Sequence, residues 1–476
     1  MSTNLQPIIG LEVHVELKTK SKMFCSCPND PDERQPNALV CPICLGHPGT
    51  LPVINQEAVR RVIKTGLALK CQISQYSKFD RKNYFYPDLP KGYQISQKDA
   101  PLCRKGELLD VKIRRVHLEE DTGRLIHKKG HSLVDFNRAG IPLMELVTEP
   151  DIRSAREARR FAEELQLILR YLGVADADME KGQMRVEANV SLRGGRRVEI
   201  KNLNSFRAVE KALEYEIARQ HKEGSVQETR GWDSLKEITV SQREKEEAHD
   251  YRYFPEPDLV PMRFSKKAIE GIAVDIPELP RARRERFTEE YRIGEKAVEV
   301  FVQNKDLGEY FEKTMSELRQ WAKEEGRKRS VKEEEFFKLA KLCSNYMISD
   351  LRGLLKGAGV SDEDFKITPE NFAEFVLLID QGKISSKIAK QVLAEMLSRG
   401  KDPSHIIEEK GLSQITDKTE INEIILEVIS KNKKAVEDYK KGKENALQFL
   451  VGQVMAGTKG RASPEETRQA LLTKLK

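Results

Sequence analysis

The chain has 476 residues, more than one hydrophobic core normally organises, so its size calls for two to four domains. With 33% charged and 39% hydrophobic residues and a mean hydropathy of -0.58, it has the make-up of a globular protein. No apolar run approaches the roughly 18 residues that cross a bilayer, and no basic stretch followed by an apolar one opens the chain, so the expected location is cytoplasmic. The net charge of +6 admits a nucleic-acid partner without requiring one.

The first predicted strand, Ile9 to Leu17, alternates strictly. Leu11, Val13, Val15 and Leu17 fall on one face, and Glu12, His14 and Glu16 on the other. The apolar face suits a core, while the second face sets two carboxylates around an imidazole. Alternation of this kind also fits any half-buried strand whose Glu side chains meet water. As a cation site, its oxygen-rich donors favour a hard divalent ion such as Mg²⁺ or Mn²⁺ over zinc.

Four of the seven cysteines follow closely, as Cys25 and Cys27, then Cys41 and Cys44. In a reducing compartment, two close pairs separated by a loop predict a structural Zn²⁺ held by four thiolates. Such a closed site leaves no position for substrate and would staple the loop after the first strand. His47 is an alternative ligand, and Cys71, Cys103 and Cys343 read as buried thiols. The segment Asp80 to Tyr93 mixes bases with aromatics. Arg81, Lys82 and Lys91 could hold phosphates while Tyr84, Tyr86 and Tyr93 contact a base or sugar; equally, it could be a surface loop anchored by its rings.

Ser154 and Glu157 form a capping box before Phe161, Leu165, Leu169 and Leu172, and Gly173 is placed to stop that helix. A second alternating strand runs from Met184 to Leu192, with Arg185, Glu187, Asn189 and Ser191 on its polar face. A two-residue Gly194-Gly195 turn would mix the faces of the hairpin that follows. A three-residue loop is therefore expected, pairing Val190 with Ile200 and Ser191 with Glu199. Val209, Leu213 and Ile217 mark another helix before Gly224.

The fold class expected is α+β: a mixed, largely antiparallel sheet domain over 1–292, a helical domain over 293–403 and a small helical domain over 404–476. The last carries Lys431, Lys433, Lys434, Lys440, Lys441 and Lys443, which could meet a polyanion or form a solvated helix face. No Walker-type loop, kinase glycine loop, dinucleotide fingerprint or nucleophile elbow is present, so phosphate chemistry would rest on metal and basic side chains.

Several segments together resemble one family. They are Gly10 to Leu17, Asp80 to Pro87, Tyr93 to Gln97, His117 to Gly123, Asp135 to Arg138 and Asp250 to Asp258, with Gly452 to Met455 and Lys459 to Arg461 in the tail. That family is the B subunit of the bacterial glutamyl/aspartyl-tRNA amidotransferase, and the resemblance spans the whole chain. It implies a cradle-like first domain, ATP and Mg²⁺ as cofactors, and a heterotrimer with an amidase A subunit and a small C subunit. It also implies misacylated Glu-tRNA(Gln) or Asp-tRNA(Asn) as substrate, bound in part by the tail.

By that resemblance the side-chain carboxylate is phosphorylated and then amidated with ammonia from the A subunit. Glu12, His14, Glu120 and Glu187 would gather around Mg²⁺, with Glu16 in support. Lys82 and Lys91 would lie near phosphate or line the ammonia entrance. Arg81, Tyr84, Asn189 and Ser191 complete the expected nucleotide contacts. The choice of Glu120 over Glu119 rests on resemblance alone. Relatives often carry Asp where Glu187 stands, and many lack the four cysteines. Two rival readings are a non-catalytic tRNA-binding scaffold with a structural metal, and a metallohydrolase built on Glu12, His14 and Glu16.

Overall fold

The structure, a computed structural model, describes residues 6–244, 251–324, 333–413, 418–458 and 460–475. Met1 to Leu5, Asp250 and Lys459 lie outside the described residues. The chain divides into two units, Met1–Leu279 and Pro280–Lys476.

In chain order the strands of the first unit are β1 (Pro7–Glu16), β2 (Gln72–Ile73), β3 (Tyr76–Ser77), β4 (Asp80–Asn83), β5 (Tyr93–Ser96) and β6 (Cys103–Leu108). Then come β7 (Val111–Glu120), β8 (Arg124–Lys128), β9 (His131–Asp135), β10 (Pro142–Thr148), β11 (Met184–Leu192) and β12 (Val198–Leu203). The last four are β13 (Glu228–Asp233), β14 (Ile238–Glu244), β15 (Phe254–Pro255) and β16 (Met262–Arg263). Nine of them form one sheet in the order β14-β13-β12-β11-β1-β10-β7-β6-β2. Its neighbours are antiparallel except for the parallel pair β12 and β13. The expected α+β class, with a largely antiparallel sheet, is what the chain forms.

The apolar side of β1 explains where the core lies. Ile9, Leu11, Val13 and Val15 are fully buried and share one core with Ala58 and Val62 of α1 (Gln56–Ala68). Phe161, Leu165 and Leu169 of α2 (Ala155–Tyr171) and Val209 and Leu213 of α3 (Phe206–Glu223) complete it. Each buried Val, Leu, Ile or Phe among them contributes about 1.5–3 kcal/mol by leaving water. Ser154 caps α2 as the sequence suggests, its Oγ accepting from Glu157 N, while the Glu157 carboxylate reaches one residue further back and accepts from Arg153 N at 2.8 Å; Gly173 follows the helix in left-handed backbone at φ +66°.

The β11-β12 hairpin departs from expectation by two residues. Val190 lies opposite Val198 and Asn189 opposite Glu199, so Ser191 does not face Glu199. Gly194, at φ +86°, sits at the tip, and Gly195 N donates to Leu192 O at 2.8 Å to close the turn. A shift of two keeps every side chain on its face, so the apolar pattern alone does not separate the two registers.

The small sheet β15-β4-β5 stands against the end of β7, where Gln94 Nε2 donates to Glu120 O at 2.7 Å. The second unit begins earlier than 292 because Pro280 opens a helix, Pro280–Tyr291, whose aromatics pack with later ones. Ring centroids of Phe287 and Phe311 lie 5.9 Å apart, and those of Tyr291 and Phe311 5.1 Å. Gly400, at φ +69°, ends the helix Ser386–Arg399, and Asp402 caps the next, Pro403–Lys410. Toward the C-terminus, Ile425, Leu450, Val454 and Leu471 form a separate apolar cluster. Among the described residues no helix is long and apolar enough to cross a membrane.

Candidate active site and thiolate centre

Register brings the polar side chains of four strands into rows. His14 lies opposite Arg185 of β11 on one side and Glu145 of β10 on the other, and Glu145 lies opposite His117 of β7. One step along, Glu12 faces Glu187; one step back, Glu16 and Glu119 flank Leu143. His14 Nε2 is 3.5 Å from Glu145 Oε2, 3.7 Å from Glu119 Oε1 and 3.9 Å from Glu12 Oε1. His117 Nε2 is 3.3 Å from Glu145 Oε2 and 3.9 Å from Glu119 Oε2, and Ser96 Oγ donates to Glu119 at 3.0 Å.

These groups, Glu16 excepted, line a cavity of about 430 Å³ together with Lys82, Tyr84, Arg115, Arg185, Lys201, Tyr251 and Tyr253. Lys201 Nζ lies 2.9 Å from Glu187 Oε2 and 3.4 Å from Glu199 Oε1. Lys82 Nζ sits 5.1 Å from the Tyr251 ring centre. At one end the buried Asp121 accepts from Arg138 at 2.5 Å and from Arg185 at 2.9 Å, and Arg138 also lies 3.3 Å from Glu16.

Burial and crowding set the charges. Burial, with the nearby Glu145, lifts Glu12 to about 6 against the pull of His14. For His14, burial disfavours the imidazolium, yet the hydrogen bond and charge of Glu145, with Glu119 and Glu12, outweigh it and raise the group to about 9. Burial works against the Lys82 ammonium too, but Glu119 and Glu145 hold its pKa above the usual lysine range. Asp121 is drawn down to about 2 because Arg185 and Arg138 overcome its burial.

Glu12, His14 and Glu145 place one donor atom each within 4.8 Å of one another, and His117, Glu119 and Glu145 do the same. Carboxylates mixed with imidazole suit a divalent cation, and His117 Nδ1 is buried without a hydrogen-bond partner. Glu120 does not join this group. It lies on the other face of β7, where its carboxylate meets Lys91 Nζ at 2.6 Å and Ile95 N at 2.9 Å. Alternation holds to the end of β7, so Glu119 shares the side of His117 and takes the place expected of Glu120.

Lys91 likewise leaves the cavity; with Glu120 it walls a smaller one of about 100 Å³ beside Cys25, Cys44 and His47. Arg81 is engaged with Glu256 at 2.7 Å and stacks 4.2 Å over Tyr93. Asn189 and Ser191 share the polar face of β11 but do not line the main cavity. Glu145 and His117 were not singled out from sequence.

The Sγ atoms of Cys25, Cys27, Cys41 and Cys44 all lie within 4.8 Å of one another, and His47 is not in that group. A tetrahedral Zn²⁺ with Zn–S bonds of about 2.3 Å holds its sulfurs about 3.8 Å apart, so the four thiols fit it. Cys41 N donates to Cys44 Sγ at 3.1 Å. Hydrogen bonding from Cys25, with Cys41 and the charge of Lys22, brings the Cys44 thiol down to about 5 despite its burial.

An antiparallel cradle whose polar face gathers carboxylates and imidazoles within a rim of lysines and arginines defines a class of enzyme suited to anionic substrates and divalent cations. Residues 7–270 match the GatB/GatE catalytic domain, and residues 330–475 the GatB domain. The chain is 48% identical to the B subunit of the aspartyl/glutamyl-tRNA(Asn/Gln) amidotransferase of Thermotoga maritima, over 98% of both chains. It is 47% identical to that of Carboxydothermus hydrogenoformans, over 99% of this chain and 98% of the relative. With the corresponding protein of Persephonella marina it shares 48% over 99% of both. The chain belongs to the family of B subunits of these tRNA-dependent amidotransferases.

Proposed function

We propose that the cradle catalyses the ATP-dependent amidation of the side-chain carboxylate of Glu-tRNA(Gln), Asp-tRNA(Asn) or both, giving Gln-tRNA(Gln) or Asn-tRNA(Asn). Within a glutamine-hydrolysing ligase it works with two partners: an amidase A subunit that releases ammonia from glutamine, and a small C subunit. The observation that carries this reading is His14 within 3.9 Å of three carboxylates, Glu12, Glu119 and Glu145, in a cavity rimmed by Lys82, Arg185 and Lys201.

Phosphorylating a carboxylate brings two anions together, so fixed positive charge and a divalent cation are needed more than a protein nucleophile. Glu12, His14, Glu119 and Glu145 would hold Mg²⁺, which when bound neutralises charge on phosphate oxygens. Lys82, kept charged by Glu119 and Glu145, and Arg185, anchored by Asp121, place cations beside the same space. Glu187, tethered by Lys201, stands at its edge, where its contact with a cation is direct or through water. Tyr84 offers a ring to a nucleotide base. The four thiolates hold Zn²⁺ as a staple with no part in the chemistry.

The tail completes the reading. Lys431, Lys433, Lys434 and Lys443 line a groove of about 870 Å³ with the half-exposed Phe449, a surface suited to an RNA backbone. A division of the helical unit near 403 is part of this proposal and is supported by the tail's own apolar cluster.

The test is conversion of each misacylated tRNA by the trimer assembled from this chain and its partners. Glu12→Gln with His14→Ala should abolish ATP-dependent product while tRNA binding persists. Undiminished conversion would favour the non-catalytic scaffold, and hydrolysis by the isolated chain without ATP would favour a metallohydrolase.

A further inference from the structure

Lys22 is fully buried, a condition lysine almost never meets without a paired charge. Its Nζ donates to Leu39 O at 2.7 Å and to Phe136 O at 3.3 Å, and lies 3.8 Å from Cys44 Sγ. Two of these contacts are neutral carbonyls, so the thiolate is the counter-charge among them. A buried ammonium left without one is costly. Cys44 is also the one residue of the four that is buried as a whole. Four thiolates around Zn²⁺ carry a net charge of about -2, and the ammonium halves it.

The same ammonium joins two segments. Leu39 lies in the loop between the cysteine pairs, and Phe136 directly follows β9. Side-chain amides stitch these segments together: Phe136 N donates to Asn37 Oδ1 at 2.7 Å, Leu39 N to Asn137 Oδ1 at 2.9 Å, and Asn137 Nδ2 to Gln35 O at 2.7 Å. The next residue is Arg138, whose guanidinium holds Asp121 and reaches Glu16 at the end of the cavity.

We propose that Lys22 is the positioning residue of the thiolate centre: its ammonium is the counter-ion of the Cys44 sulfur, and through Leu39 and Phe136 it couples that centre to the segment carrying Arg138. The proposal rests on the reading of the four cysteines as a zinc site, and metal content tests that first. Full-length protein should carry about one zinc, lost in Cys41→Ser with Cys44→Ser; zinc-free wild type would overturn both readings. With zinc in place, release to a chromogenic chelator should be at least about tenfold faster from Lys22→Met than from wild type, and amide exchange over 134–141 should rise.

Adding Cys44→His, which replaces a thiolate by a neutral ligand, should slow release relative to Lys22→Met alone, because less charge then needs compensation. A packing role predicts that the two substitutions add. If Lys22→Met does not fold, recovery of a zinc-bound fold in the double variant supports the proposal and its failure overturns it. Wild-type release and exchange rates in Lys22→Met would overturn it while leaving the zinc site intact.

Discussion

His14 and Glu145 face each other across β1 and β10, and the 3.5 Å between His14 Nε2 and Glu145 Oε2 is the shortest of the three carboxylate approaches to that imidazole. Glu145 stands at 3.3 Å from His117 as well, so one buried carboxylate orders both rings.

Glu145→Gln should therefore damage more than one contact. It removes a candidate cation ligand and the partner that orients two others, so ATP-dependent amidation should fall on the order of 10²-fold. Far-ultraviolet circular dichroism should show a folded protein. Activity within twofold of wild type would remove Glu145 from the centre.

The charges predict a dependence on pH. His14 is raised from 6.5 to about 9 and Glu12 from 4.5 to about 6. A raised group gives stability that is full below its unfolded pKa and is lost as pH rises through its folded one. Without divalent cation, the first unit should lose thermal stability between about pH 6.5 and 9 as His14 deprotonates. Cation binding requires the neutral imidazole, so Mg²⁺ or Mn²⁺ should bind more tightly across the same window and reduce the loss. Calorimetry at pH 6.5 and 9, with and without the ion, reads both effects; a melting temperature indifferent to pH would contradict the assignment.

Much of this centre was legible because β1 carries it in alternation. Glu12 and His14 read directly from Gly10 to Leu17, and the matching alternation of Met184 to Leu192 exposed Glu187. Glu145 escaped because β10 is buried on both faces, so Leu143, Met144 and Leu146 around it give no polar-apolar rhythm. Glu119 was recoverable: Arg115, His117 and Glu119 share a face of a strand that runs to Glu120, whereas Glu120 was preferred on resemblance alone. The hairpin register escaped for another reason, since a slip of two leaves the pattern unchanged.

The two neighbouring carboxylates should consequently fail in different ways. Glu119→Gln should abolish ATP-dependent activation with a modest change in melting temperature. Glu120→Gln leaves the Lys91 ammonium without its partner in a buried setting, a loss of about 3–5 kcal/mol, and should lower the melting temperature by several degrees. Inactivity of the second variant with unaltered stability would reverse their roles.

In the tail, Lys433→Ala with Lys434→Ala should weaken tRNA binding and reduce the slope of log affinity against log salt by about 1–2. ATP-dependent amidation in the cradle should persist at saturating tRNA. An unchanged salt slope would mark these lysines as a solvated face.

The most direct measurement is transfer of label from γ-labelled ATP to the aminoacyl group of Glu-tRNA(Gln) or Asp-tRNA(Asn) in the assembled trimer, with glutamine and ammonia withheld. Wild type should form a labelled acyl phosphate, and Glu12→Gln with His14→Ala should form none while binding tRNA as before. Label transfer by that variant at the wild-type rate would contradict the assignment of this face as the activation centre.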